Sequence, residues 1–260
     1  MFLATLRLAE VLLNPLLQLP AFTLSCVVLD WLHVVDLGVG ADVLGNFFGE
    51  VMTLNNLVAG NTKAKRLSTL WVKLQAWYVR VKPVCKLDHL TEEMIKGKKK
   101  PKLRAKGAEC RYLIPFGAEL SAELAAVANN VHQTTVAALF DNLHFLQRQV
   151  SGEFHPFDPN LASVTCRKFC VLYASLEQES IAKGNLLLWN LKPKVHLLQE
   201  LIEYQVFEHG NPRTFWCYRD ESWCGFWARA SRRRGGANNA ETTATRFLNR
   251  YRALEDDTFS

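Results

Sequence analysis

The chain has 260 residues, 49% of them hydrophobic and 22% charged, with a formal net charge of +6. That composition excludes a wholly disordered or fibrous polypeptide and is ample for a buried core. The mild basic excess, with a sequence pI near 8.9, permits a polyanionic partner without requiring one, so where the charge clusters matters more than its sum.

In chain order, the first twenty residues (MFLATLRLAEVLLNPLLQLP) are apolar but are interrupted by Arg7, Glu10 and Pro15. Leu6, Leu8, Val11, Leu12 and Leu16 fit an amphipathic helix better than a targeting leader. No later stretch reaches the ~18 uninterrupted apolar residues of a membrane span, so a soluble chain without a membrane partner is expected. Phe22 to Leu37 (FTLSCVVLDWLHVVDL) is rich in β-branched and aromatic residues and predicts one or two strands. Gly38, Gly40 and Gly45 follow, with VLGNFFGEVM reading as a helix. Thr62 to Val81 is amphipathic, with Leu67, Leu70, Trp71, Leu74, Trp77 and Tyr78 on one face and Pro83 just beyond. A basic loop, Lys96 to Lys106, precedes two long helical patterns, Phe116 to Val150 and Pro159 to Lys183. Lys192 to Val206 predicts a further helix entered through Pro193. After Gly210-Asn211-Pro212, Thr214 to Tyr218 reads as a short strand, Ser222 to Arg232 as a helix, and Glu241 to Glu255 as the last helix. The fold class expected is mainly α with a small β component.

The seven cysteines are odd in number and scattered, and no CxxC pair occurs among them. Reduced, mostly buried thiols in an intracellular compartment are expected, with no metal role. Four constellations carry candidate chemistry. Asp30-Trp31-Leu32-His33, followed by Asp36, either orients an acid and an imidazole for chemistry or caps a turn beside a buried histidine. Ile95 to Lys106 (IKGKKKPKLRAK) holds seven cations in twelve residues. It is either a phosphate-contacting segment or a solvated loop. Asp220 and Glu221 stand where a strand gives way to a helix, as metal-binding carboxylates or as an N-cap and its dipole complement. Arg229 to Arg234 either clamps a phosphate backbone or complements a helix C-terminus. No phosphate loop, dinucleotide fingerprint, nucleophile elbow or HExxH motif is present.

In order, these segments resemble the CACTA-type transposases, a branch of the DDE transposases with an RNase H-like core. Asp30-Trp-Leu-His33 with Gly38-Val39 looks like that family's acid-x-Met-His block, with Leu32 in place of Met. Leu103 to Glu119 is similar to its lysine-rich block. Lys192-Pro-Lys-Val-His196-Leu-Leu matches its Met-x-His-Leu block in style. Trp216 to Glu221, with the basic segment and Glu241 after it, looks like its closing strand, glutamate and helix.

The resemblance implies a C-terminal remnant of an RNase H-like core with a large helical insertion. Residues 1–60 would be a strand and helix of that core, 61–206 the insertion with its basic loop at 96–106, and 207–260 the closing strand and helices. In the family, three carboxylates hold two divalent cations that drive DNA strand cleavage and transfer. Glu221 is the first choice for the final glutamate, with Glu241 second and Asp220 a neighbouring alternative. Asp30, His33, Asp36 and His196 are core-motif residues. The family's earlier aspartates lie upstream of the acid-x-x-His block, and residues 1 to 25 contain none. The expectation is therefore a transposase-derived fragment, truncated at the front and not catalytically competent alone. It would use Mg2+ or Mn2+ only if the missing carboxylates were supplied. It would associate non-specifically with DNA through Lys98, Lys99, Lys100, Lys102, Arg104, Lys106, Arg232, Arg233 and Arg234, with a second transposase chain as a further partner and a nuclear location if functional. The alternative is a non-enzymatic helical scaffold or protein-interaction module.

Overall fold

The computed structural model describes residues 15–20, 22–54, 57–96, 100–153, 156–184, 188–231, 244–245 and 248–249. By packing, the chain divides into two compact units at Phe215/Trp216. The architecture is mainly α, and no strand occurs among the described residues. The first twenty residues' amphipathic pattern falls largely outside the described part, which opens on a 3-10 turn at Pro15–Gln18.

The strand expected across Phe22 to Leu37 is replaced by a 3-10 turn at Leu24–Cys26, a stretch without regular structure at 27–30, and then a helix. That stretch has no partner strand among the described residues. The Gln205 side chain stands in for one, accepting from the Leu29 N–H (2.8 Å) and donating to the Val27 carbonyl (3.3 Å). The helix α1, Leu32–Val39, is wound in the wide π form. Gly38 breaks its regularity (φ −114°, ψ −105°), and α2, Gly40–Thr53, continues from it.

Every residue of α2 from Gly40 to Met52 is buried. A helix enclosed on all sides needs small residues wherever backbone crosses it closely. Gly45 is such a place, because a Cβ there would lie 2.4 Å from the Cα of Lys102. Arg66, itself buried, caps the far end of α2, donating from Nε to the Met52 carbonyl at 2.6 Å.

Helix α3, Lys63–Val81, starts at Thr62, whose side chain accepts from the Lys65 N–H, and ends at Lys82 in the left-handed region (φ 51°). It buries Leu70, Leu74, Trp77 and Tyr78, as its periodicity predicts. After the short α4, Glu92–Lys96, come α5, Gly107–Ala128, and α6, Val131–Ser151. The pattern expected as one helix from Phe116 to Val150 is thus two. Asn129 turns the chain in the left-handed region (φ 45°), and the Asn130 side chain caps α6 by accepting from the Gln133 N–H. Pro115 sits inside α5 and lacks the N–H that Arg111's carbonyl would accept. Gln147 of α6 supplies it instead, donating from Nε2 to that carbonyl at 2.8 Å.

Helix α7, Pro159–Ala182, is capped by Asp158 with proline at its first position. Helix α8, Pro193–Glu200, passes through a π segment at Leu201–Gln205 into α9, Val206–His209. Helices α5, α6 and α7 pack side by side, and α2 lies against α1, α3, α4 and α5. The core is aromatic: Phe47 meets Phe140 edge-on (centroids 5.0 Å apart), and Tyr173 meets Trp189 at 6.0 Å.

The second unit holds α10, Tyr218–Ser231. The short strand expected at Thr214 to Tyr218 is not formed: Pro212–Thr214 is a 3-10 turn and α10 begins at Tyr218. Proline and the capping Asn211 side chain, which accepts from the Arg213 N–H at 2.9 Å, favour the turn. The last expected helix lies mostly outside the described residues. No helix among the described residues is long and apolar enough to cross a membrane.

Gly45→Ala tests the crossing at α2. Helix propensity alone would favour alanine by about 1 kcal/mol, but backbone at 2.4 Å cannot yield as a side chain can. The expected result is a net loss of about 1–3 kcal/mol, read as a lower urea midpoint.

Candidate functional site

Three sequence-distant segments meet around α1. Asp30 Oδ2 accepts from the His33 backbone N–H (2.9 Å) and lies 2.7 Å from His33 Nδ1, so the acid both caps the turn and orients the imidazole. From the basic segment, Lys102 Nζ donates to the Leu37 carbonyl at 2.7 Å. From the start of α8, Lys194 Nζ donates to the His33 carbonyl. The bare α-carbon of Gly38 leaves room for that lysine, since a Cβ there would lie 2.5 Å from Lys194 Cδ. Burial lowers the Lys194 amine below its ordinary value and the Lys102 charge lowers it further, against the opposing pull of Asp42 and Asp30. Asp36 is buried, with Arg111 Nη1 at 3.8 Å.

The larger constellation lies on α2 itself. Asp42, Asn46 and Glu50, spaced four apart, share one face, and all three are buried. Lys192 Nζ bonds Asp42 Oδ1 at 2.6 Å. Asn46 accepts from the Trp189 backbone N–H at 2.8 Å and donates to the Asp42 carbonyl at 2.8 Å. Glu50 Oε1 accepts from the Trp189 indole N–H at 2.6 Å. On its other side stands His132 of α6, whose Nε2 is 3.0 and 3.1 Å from the two Glu50 oxygens. His132 Nδ1 is 2.7 Å from Glu179 Oε2 of α7, and Lys183 bonds that carboxylate's other oxygen. The face thus ties α2 to α6, to α7 and to the segment from Trp189 to Lys192.

Sequence reasoning singled out none of Asp42, Asn46, Glu50, His132, Glu179 and Trp189. A usable signal was present: polar residues four apart inside an otherwise apolar helix must find buried partners.

Of the described cations of the basic run, Lys100 and Lys102 are bonded within the fold, and the exposed Lys106 has a carboxylate beside it. Lys100 donates to Asn190, Lys102 to Leu37, and Lys106 Nζ lies 3.4 Å from Glu109 Oε1. The backbone after Pro101 is bonded down as well: the Leu103 N–H donates to the Ala41 carbonyl (2.8 Å) and the Arg104 N–H to the Met94 carbonyl (2.7 Å). Arg104 is exposed and lines an open hollow with His89, Met94 and Lys106. His196 is exposed on α8. In the second unit, Asp220 and Glu221 are exposed in the first turn of α10, where the Glu221 N–H donates to the Cys217 carbonyl at 2.9 Å. Lys98, Lys99, Arg232, Arg233, Arg234 and Glu241 lie outside the described residues. None of the seven cysteines is in a disulfide, and burial pushes the Cys110 thiol up to about 12.

Asp42 Oδ1 is bonded to the Lys192 ammonium and the buried Asp36 faces Arg111 at 3.8 Å, cationic surroundings that do not fit the ligand set of a divalent-ion pair. Comparison with protein-family models, curated proteins and solved structures finds no match to this chain.

Lys192→Met would leave Asp42 buried without its ammonium partner. Because the Lys192 side chain is 26% exposed, the expected loss is moderate, about 1–3 kcal/mol, measured by urea unfolding at pH 7. Full retention of stability would mean that water or another donor replaces the lysine.

Proposed function

We propose that this chain is a transposase-derived helical body that associates with DNA through the phosphate backbone and does not by itself cut it. The observation that supports the reading is the meeting of its blocks. The acid-x-x-His segment at Asp30, the lysine-rich segment at Lys102 and the Lys192-to-His196 segment lie far apart in sequence yet bond to one another around α1 and the start of α2. The finer parts of the proposal, a remnant of an RNase H-like core and a role for Glu221, rest on the resemblance of the blocks alone. Cations left exposed, Arg104 above all, supply sequence-blind attraction to phosphate.

A second reading is favoured by one observation. Lys100 and Lys102 each have a partner inside the fold, so part of the basic run is structural. On that reading the chain is a non-enzymatic helical scaffold or interaction module.

Salt dependence separates the two. Titration of a fluorescent DNA duplex is expected to give affinity that falls about tenfold or more between 50 and 200 mM salt, as release of a few counterions demands. Arg104→Ala should reduce the slope of log affinity against log salt by about one. No binding at the lower salt, or binding indifferent to salt, overturns the DNA proposal and leaves the scaffold.

A further inference from the structure

Both ring nitrogens of His132 face carboxylate oxygens: Nε2 meets Glu50 at 3.0 Å and Nδ1 meets Glu179 at 2.7 Å. An ionised carboxylate only accepts, and a neutral imidazole carries a single N–H. The geometry on both sides is therefore satisfied at once only by the imidazolium. From it we infer that His132 is a proton-operated clamp, which in its charged form fastens α6 to α2 and to the last turn of α7 and on losing its proton releases the α7 side.

The charges that act most on His132 come from two helices. Glu50 belongs to α2 and Glu179 to α7, with Lys183 bonded to the far oxygen of Glu179. Helix α5 also packs on α6. Burial alone would lower the basicity of the imidazole. The bonds to Glu50 and then Glu179 outweigh it, so the histidine is raised above its ordinary 6.5; Glu179, against its own burial, is held below the usual carboxylate value by Lys183 and then His132.

The side that lets go follows from burial. The Glu50 side chain is 5% exposed and the Glu179 side chain 32% exposed. A neutral His132 has one N–H; without it Glu50 keeps the neutral Trp189 indole N–H and Glu179 keeps the Lys183 ammonium, so losing the imidazole donor costs more at the less exposed Glu50. The proton therefore stays on Nε2. The lone pair then left on Nδ1 faces Glu179, which has Lys183 to follow into solvent. The sign is that of a group raised on folding: its stabilisation is full below about 6.5, the value of an unperturbed histidine, and is lost as pH rises through the folded value.

The test is 15N and 1H NMR of the histidine-labelled full chain. Expected at pH 6 is a His132 ring with both nitrogens protonated, titrating above 6.5, while the amide signals of Glu179 to Lys183 move over the same pH interval. Glu179→Gln, at a partly exposed position, should lower the midpoint, and His132→Gln should abolish the pH step in those amides. If His132→Gln fails to fold, the wild-type titration and Glu179→Gln decide. A midpoint at or below 6.5, a midpoint unmoved in Glu179→Gln, or α7 amides that ignore the titration would each overturn the clamp. None of these outcomes depends on what the chain binds.

Discussion

The constraint on which the rest of this fold depends is the enclosure of α2. A helix buried from Gly40 to Met52 has no solvent side on which to place polar residues, yet it carries Asp42, Asn46 and Glu50. Each must be matched by a donor or acceptor from another element, because an unpaired polar group there costs more than a made hydrogen bond returns. Lys192, Trp189 and His132 are those partners. The positions of the Trp189-to-Lys192 segment and of the His132 turn are thereby fixed by hydrogen-bond chemistry as well as by packing. Apolar contacts alone tolerate sliding; a row of polar groups four residues apart does not.

The same enclosure explains the close backbone crossing. For the basic segment to lie against α2, the helix must present no side chain where Lys102 and Leu103 pass, and Gly45 meets that condition. Leu103 is then buried, and its N–H is bonded to the carbonyl of Ala41. A run that composition marks as solvated or phosphate-seeking is in part a structural strap whose lysines act as hydrogen-bond donors. Charge density in a sequence says how many cations there are, and only the path of the backbone says which of them remain available to a partner.

The legible parts of the fold were those with local signals. Helix α3 followed from its stripe, Thr62 and Pro83; α7 from Asp158 and Pro159; α8 from Pro193. Within Phe22 to Leu37 the helical part, Leu32 to Leu37, was not legible as helix, because a short apolar run reads equally as a buried strand or a buried helix. The β-branched Val27, Val28, Val34 and Val35 tilt the balance the wrong way. The break at Asn129-Asn130 carried a signal, since both residues favour the left-handed turn and the N-cap, but the apolar periodicity runs through it. Of the candidate site, the Asp30–His33 pairing was visible from its spacing. The polar face of α2 was not, because its partners lie some 80 to 150 residues away and share no motif with it.

The same separation holds for the segments that meet around α1. Each contributes to that region only one or two atoms that matter: a carboxylate for His33, an ammonium for the Leu37 carbonyl, another for the His33 carbonyl, a third for Asp42. A lysine reaches its acceptor through four methylenes, so its ammonium can be placed from backbone that lies well away. Helix α1 is irregular at Gly38, and the lysines donate to two of its carbonyls, those of His33 and Leu37. Donors reaching in from the basic segment and from α8 thereby make the three segments one structural device.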